Sequence, residues 1–171
     1  MIRTCQSRQA GFTLIELMVT VAVLAIVMAI AIPNFRGLIN SNRLTTQSNE
    51  LVATLQYARS EAVRANGRVT VCPTSDGSTC GGSDWSYLIV MLNRDQQVLR
   101  ELHGRAGSAL SADVDDVVFS PDGLARDSAG LLATANINVC IDTTQPTDNQ
   151  RVVALASGSR ISVGHASGAC P

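Results

Sequence analysis

Four cysteines beyond residue 70 are the side chains best suited to chemistry, and the chemistry that fits their spacing is oxidation to disulfides. Cys72 and Cys80 flank a short loop rich in Gly, Ser, Thr and Asp, whereas Cys140 and Cys170 lie near the end of the chain. Four cysteines allow three pairings, of which we favour Cys72–Cys80 and Cys140–Cys170. The alternative is four reduced thiols, and disulfides are the expectation if this part of the chain is exported.

Other residues that could do chemistry lack the spacing of a catalytic or metal site. Seven residues separate Cys72 from Cys80, which is unlike the close pair of a zinc knuckle. The two histidines, His103 and His165, stand apart from any ligand cluster, and the acidic run 113–116 lacks the glycine of a calcium loop. We therefore expect no enzyme, metal or cofactor. We expect both histidines to be exposed turn residues and the acidic run to be a solvated loop.

One carboxylate, Glu16, stands in the longest apolar run of the chain, residues 12–32. This run is long enough to cross a bilayer, which takes about 20 residues. A charge inside such a helix costs about 2.5–3.5 kcal/mol on insertion scales, and charged residues there usually have a partner. A secretory signal peptide would have a shorter apolar region followed by a cleavage site with small residues. A plain transmembrane anchor fits the length but leaves Glu16 without a role.

The element that carries Glu16 is predicted to be one long helix from residue 12 to about residue 65. Beyond an apolar part at 12–32, residues 33–66 are amphipathic. Their apolar stripe consists of Leu44, Leu51, Leu55, Ala58 and Ala62. We expect a bend near Pro33 and Gly37. Asn66-Gly67 is predicted to end the helix, with Gly67 in the left-handed conformation.

After the helix the apolar pattern becomes alternating, which predicts strands at 69–72, 87–92, 98–102, 117–119, 137–141, 151–155 and 160–163. Turn residues separate them at 93–95, 120–123 and 157–159. The single tryptophan, Trp85, is expected in the core. We predict an α+β fold, in which the long N-terminal helix packs on a β-rich, sandwich-like domain at 67–171.

The residues Gly11-Phe12-Thr13-Leu14-Ile15-Glu16 resemble the processing site of type IV pilins and type II secretion pseudopilins. A basic head with Arg3 and Arg8 precedes them, and an uncharged run to Pro33 follows. The resemblance implies that residues 1–11 are a leader, which a prepilin peptidase removes after Gly11. It also implies N-methylation of Phe12 and a helix kink at Pro33.

The resemblance also suggests a role for Glu16. Cleavage creates a charged amine on Phe12, one helical turn from the Glu16 carboxylate, so that each charge lowers the burial cost of the other. In a filament, Glu16 of one subunit can meet the Phe12 amine of its neighbour and set the axial register. Buried opposite charges are better at specifying geometry than at adding stability. The alternative is that Glu16 only reaches towards the membrane interface.

The segments "LQYARSEAVRANGRVTVCPTSDG" (55–77), "GSDW" (82–85) and "VVFSPDGLA" (117–125) are similar to the GspH/FimT/FimU branch of minor pilins and pseudopilins. This implies a minor pilin of the tip complex that primes a type IV pilus, or alternatively a type II secretion pseudopilin. The implied partners are other major and minor pilins or pseudopilins. The implied location is the inner membrane, with one span and a periplasmic body, and then the filament tip.

A second alternative is a DNA-binding minor pilin of natural transformation. The net charge of −1 gives no general affinity for nucleic acid. However, no acid follows Asp148, whereas Arg151 and Arg160 do. Some FimT-like proteins bind DNA through a Gly-Arg-x-Arg motif. The corresponding residues 158–162 of this chain contain one of the two arginines of that motif. Because affinity for DNA grows with the number of phosphate contacts, the missing cation disfavours DNA as a partner.

Overall fold

A computed structural model of the chain describes residues 11–170, which form one long helix followed by eight strands. The helix, α1, spans Leu14–Arg64 and contains Pro33 in its interior. It begins two residues later than the sequence predicts. The expected leader lies outside the described residues except for Gly11, as does Cys5.

The chain divides into two units, residues 1–36 and 37–171, and the described part of the first is the apolar start of α1. Its large apolar side chains are at least half exposed on every side of the helix, from Phe12 at 87% to Ile32 at 50%. This is the one helix among residues 11–170 that is long and apolar enough to cross a membrane. A helix that is apolar all round suits lipid or other helices better than water.

In the second unit, the remainder of α1 packs on the strands through the stripe predicted from the sequence. All five of its residues, Leu44 to Ala62, are fully buried. Three polar side chains on the same side of the helix are buried too. Ser48 and Thr54 donate to carbonyls one turn back, and Gln47 Oε1 accepts from the Arg105 amide at 2.9 Å. The prediction of the amphipathic stripe is confirmed.

The end of α1 corrects one prediction, because Asn66 and not Gly67 adopts the left-handed conformation, with φ of 45°. The Gly67 amide donates to the Ala62 carbonyl at 3.1 Å, and the Asn66 amide donates to the Val63 carbonyl at 3.3 Å. These are the two bonds of a Schellman motif. Asn tolerates this conformation better than most residues do, so the helix stops one residue earlier than expected.

The strands form two antiparallel sheets of four. The first sheet has the order β3-β2-β1-β5, with β1 at Val69–Pro73, β2 at Tyr87–Leu92, β3 at Gln97–His103 and β5 at Val117–Phe119. The second has the order β4-β6-β7-β8, with β4 at Ala109–Ala112, β6 at Ala135–Cys140, β7 at Gln150–Ala156 and β8 at Arg160–Ala166. The α+β fold with a long helix on a β-rich domain is confirmed.

All seven predicted strands are present, with bounds that differ by a few residues, and β4 is the strand that the sequence does not reveal. Its four residues include one large apolar side chain, Leu110, so that no alternating pattern can be recognised. The predicted turns lie where expected, and Gly123 takes a φ of 74° that favours glycine. Trp85 is 1% exposed, as predicted, and belongs to the core shared by α1 and the two sheets.

Candidate functional site

The segment 11–13 precedes α1 and has no helical structure. Phe12 is the most exposed large apolar side chain of residues 11–170. Among residues 11–170 no atom lies within 4 Å of a Cβ built on Gly11, so this residue has open space beside it. The Gly11–Phe12 peptide bond therefore lies in exposed, non-helical chain, the form in which a protease can bind a substrate.

Thr13 is the cap that starts α1 directly after this bond. Its Oγ1 accepts a hydrogen bond from the Glu16 amide at 3.3 Å, and its carbonyl accepts from the Leu17 amide at 3.2 Å. Thr followed three residues later by Glu is the sequence pattern of a capping box. Sequence reasoning missed this signal, although it reads directly from Thr13-Leu14-Ile15-Glu16.

Glu16 thus lies in the first turn of α1, where the helix dipole favours a negative charge. Its side chain is exposed in the single chain. Hydrolysis of the Gly11–Phe12 bond would place a new amine at the same positive end of the helix, four positions from Glu16. The functional roles of Gly11, Phe12 and Glu16 remain predictions.

Pro33 interrupts the hydrogen bonding of α1 without ending the helix. It cannot donate a backbone hydrogen bond to the preceding turn. The next residue, Asn34, donates through its side chain to the Ile30 carbonyl at 3.0 Å. The kink at Pro33 remains a prediction.

The body contains two disulfides, and they are the two pairings that the sequence analysis favours. Cys72 is joined to Cys80, with Cα atoms 5.5 Å apart, and Cys140 to Cys170, with Cα atoms 5.6 Å apart. Within the first loop, Asp76 accepts hydrogen bonds from the amides of Ser78 and Thr79 and from hydroxyls beside it. These bonds hold the pKa of the Asp76 carboxyl well below its usual range.

The structure corrects the assignment of Arg151 as a candidate DNA contact. Its side chain is 3% exposed, because Arg151 shares the inward face of β7 with Val153 and Leu155. Its Nη2 donates to Ser41 Oγ on α1 at 3.3 Å, and its Nη1 lies 3.4 Å from Asp148 Oδ2. A guanidinium enclosed in this way has no access to a phosphate.

Asp148 connects this buried cation to the surface strand β8. Its Oδ2 lies 2.7 Å from Nδ1 of His165, whose side chain is 62% exposed. The hydrogen bond with His165 is the main reason why the pKa of Asp148 lies below its ordinary value, and the charge of Arg151 lowers this pKa further. His165 is a strand residue and not the turn residue expected.

Arg160, the other candidate DNA contact, is exposed at the start of β8. Among residues 11–170 its side chain has no hydrogen-bonding or ion-pair partner. Arg151 points inward and no second arginine lies on β8, so the strand itself presents one of the two cations expected there. The structure therefore weakens the DNA-binding alternative.

The remaining candidates have local structural roles. Asp113 accepts hydrogen bonds from the backbone and side-chain amides of Asn136, at 2.7 and 2.8 Å. His103 ends β3, where it stacks on Tyr87 with ring centroids 4.1 Å apart, so it too is a strand residue. The Tyr87 hydroxyl donates to Glu101 at 2.8 Å.

Comparisons with protein families match most of the chain. The family model "Type II transport protein GspH" matches residues 47–159, and the model "Prokaryotic N-terminal methylation motif" matches residues 6–32. A "Fimbrial protein" of Pseudomonas aeruginosa is 30% identical over 128 residues, which are 68% of this chain and 82% of that protein. A "Type IV major alpha-pilin" of Moraxella bovis is 47% identical over 45 residues, 26% of this chain and 28% of that one.

Two solved structures have a similar fold. The type IV minor pilin FimU of Pseudomonas aeruginosa superposes with a TM-score of 0.54 at 24% identity, over 72% of this chain and 90% of that one. The minor pseudopilin EpsH from the type 2 secretion system of Vibrio cholerae superposes with a TM-score of 0.53 at 10% identity, over 72% and 97% of the two chains. At these identities the likeness is one of fold.

Proposed function

The chain belongs to the GspH family of pilins and pseudopilins, and from that membership we propose that it is a minor pilin of a type IV pilus. In this role it is a structural subunit, without catalytic activity, of the tip complex that primes pilus assembly. Its partners are the other minor and major pilins of the same filament.

The observation that carries the proposal is the arrangement at the start of α1. An exposed, non-helical Gly11–Phe12 bond is followed at once by the Thr13 cap and then by an apolar surface that is exposed on every side up to Ile32. A soluble protein would bury such a surface in its own core. Here it is available first to the membrane and then to the helices of other subunits.

We assign the leader to residues 1–11 and the cleavage to the bond after Gly11, by a prepilin peptidase. Phe12 then becomes the N-methylated first residue, and Glu16 sets the register against the Phe12 amine of a neighbour. The span of residues 12–32 crosses the inner membrane once. The body lies in the periplasm, an oxidising compartment that suits the two disulfides. The assembled subunit lies at the tip.

Processing is tested by Gly11→Ala, with Gly81→Ala as the matched control because a Cβ at either glycine meets no atom within 4 Å. We expect wild type and Gly81→Ala to migrate as the shorter, cleaved chain on an immunoblot, and Gly11→Ala to remain full-length. Mass spectrometry of the cleaved chain should find a methylated Phe12. Equal mobility of all three proteins would refute the processing of this chain.

Assembly is tested by measuring the surface pili sheared from a strain that lacks the gene. We expect pili to be lost, to return with the wild-type gene, and not to return with Glu16→Ala. Thr20→Ala is a control within the same helix, because among residues 11–170 the Thr20 hydroxyl donates to the Leu17 carbonyl of its own turn.

The second candidate function is that of a type II secretion pseudopilin. The description of the matching family model and the fold of EpsH favour it. It predicts normal pili and a loss of exported enzymes in the deletion strain. Scoring transformation in the same strain tests the DNA-uptake alternative, for which Arg160 is the exposed cation that remains.

A further inference from the structure

The edges of the two sheets are protected to different degrees. The edge strand β3 has a register shift opposite Val90 and Met91, and its Arg100 lies over the Tyr57 ring of α1 at 5.5 Å. On the edge strand β5, Phe119 already forms an isolated antiparallel bridge with Ala125. The edge strand β4 has four residues. Each of these edges is therefore irregular, covered or short, which are the usual defences against unwanted strand pairing.

The remaining edge strand, β8, has none of these defences. It pairs with β7 over all seven residues without a register shift, and within residues 11–170 no second strand pairs with it. Residues 162–165 are exposed, including Val163 at 41%. Ser162, Gly164 and Ala166 leave one face of the strand almost flat. The backbone groups that point away from β7 are therefore accessible to another strand.

The turn before β8 fixes one end of this edge. The Ser159 amide donates to the Ala156 carbonyl at 3.0 Å. Ser159 Oγ accepts from the Ala125 amide at 2.6 Å, and the Ser159 carbonyl accepts from the Arg59 side chain of α1 at 3.3 Å. One residue thus joins the hairpin to the helix and to the β5–β6 loop.

The other end of β8 is fixed by the C-terminal segment. The disulfide to Cys140 holds Cys170, and the Gly168 amide donates to Asn149 Oδ1 at 3.1 Å. The Ala169 carbonyl accepts from Gln150 Nε2 at 3.1 Å. An edge that is held at both ends is ordered before a partner arrives, so that binding loses little conformational entropy.

The charge on this edge indicates what it binds. No acid follows Asp148 in the sequence, and the Asp148 carboxylate is already engaged by Arg151 and His165. Arg160 therefore presents an exposed positive charge, without a partner among residues 11–170, at the start of a free strand edge. An extended peptide supplies the backbone groups that such an edge pairs with, and a carboxylate on it would complement Arg160.

We propose that the free edge of β8 receives an extended strand from a neighbouring pilin-like subunit, with a carboxylate of that strand facing Arg160. The proposal rests on the assembly function proposed above. It makes β8 a specific contact between the bodies of two subunits, in addition to the packing of their N-terminal helices.

Hydrogen–deuterium exchange tests the proposal on the processed chain with its N-terminal helix intact, in detergent, alone and in complex with the other pilin-like subunits of its filament. Peptides that cover residues 160–166 should exchange at least tenfold more slowly in the complex. Cleavage after Gly11 is scored in the same sample. Failure of cleavage would refute the proposed function, whereas a cleaved, assembled chain with an unprotected β8 would refute only the strand contact.

Two variants that each reverse one charge give a second measurement, which does not depend on hydrogen–deuterium exchange. Arg160→Glu should weaken binding to the neighbouring subunit at least tenfold in an affinity measurement on the purified full-length chains. Arg94→Glu, in the exposed turn between β2 and β3, should leave binding unchanged. Equal effects of the two reversals would overturn the role of Arg160.

Two further outcomes would overturn the choice of partner. Protection of β8 in the chain alone, rising with its concentration, would mean that a second copy occupies the edge. Protection by duplex DNA in the absence of other subunits would mean that the edge binds a nucleic acid.

Discussion

Arg151 is a buried cation that links β7 to α1. Its guanidinium lies between Ser41 of α1 and Asp148, and its Nε has no hydrogen-bond partner among residues 11–170. Replacing a whole buried ion pair with apolar residues is often neutral or stabilising, but a single change at Arg151 removes one partner and leaves Asp148. The Arg151 side chain also donates to the carbonyls of Asp148 and Gln150, each at 2.9 Å. We expect Arg151→Met to lower the free energy of unfolding by about 1–3 kcal/mol through these lost bonds, and Arg151→Ala to lower it by about 2–4 kcal/mol more through the cavity left behind. Urea denaturation of both variants measures this difference, and equal losses would contradict it.

Asp148 makes stability depend on pH. Folding lowers the pKa of this carboxyl, so its contribution is fully present above the pKa of the unfolded chain, about 4. The contribution is lost as pH falls through the lower pKa of the folded state. We expect Asp148→Asn to flatten the fall in stability below about pH 5. The exposed Asp95→Asn is the control. Denaturation midpoints measured between pH 7 and pH 2.5 provide the comparison, and parallel curves for wild type and Asp148→Asn would contradict the prediction.

At the scale of elements, the second part of α1 depends on its buried stripe more than on its own helical propensity. Leu55 is fully buried at the centre of the stripe, and Gln56 beside it is exposed. Leu55→Ala should lower the free energy of unfolding by about 2–5 kcal/mol, because it removes buried methyl groups and leaves a cavity. Gln56→Ala should have little effect, since the side chain is in water in both states. Chemical denaturation of the two variants measures the contrast, and a small loss for Leu55→Ala would place the stripe outside the cooperative core.

The elements also show what the sequence could and could not predict. Periodicity located the helix and seven strands, because large apolar residues recur on one face of each. It missed β4, where Leu110 is the single large apolar residue and pairing with β6 provides the order. The alternation of Arg151 with Val153 and Leu155 is compatible with an inward arginine, whereas its charge favours the surface role that the sequence analysis gives it. Its partners Ser41 and Asp148 come from other segments, and only tertiary structure brings them together.

At the scale of the whole molecule, the two disulfides close loops of different size. The Cys140–Cys170 pair spans 30 residues and the Cys72–Cys80 pair spans 8. Because loop-closure entropy grows with loop length, replacing the first pair by Ala should cost about 1 kcal/mol more than replacing the second. Denaturation of the two double variants measures the order. A larger loss for the Cys72–Cys80 pair would mean that local packing, rather than chain entropy, governs their contribution.

The disulfide between Cys140 and Cys170 also makes β8 a mechanically closed part of the body. Cys170 lies four residues beyond the end of β8, and Cys140 ends β6 in the same sheet. At its other end β8 continues through the turn 157–159 into β7. A load that a neighbour applies to β8 therefore passes through covalent bonds to β6 and β7, whichever end it reaches first. Breaking the hydrogen bonds of the β7–β8 ladder would loosen the strand but could not detach it from the body.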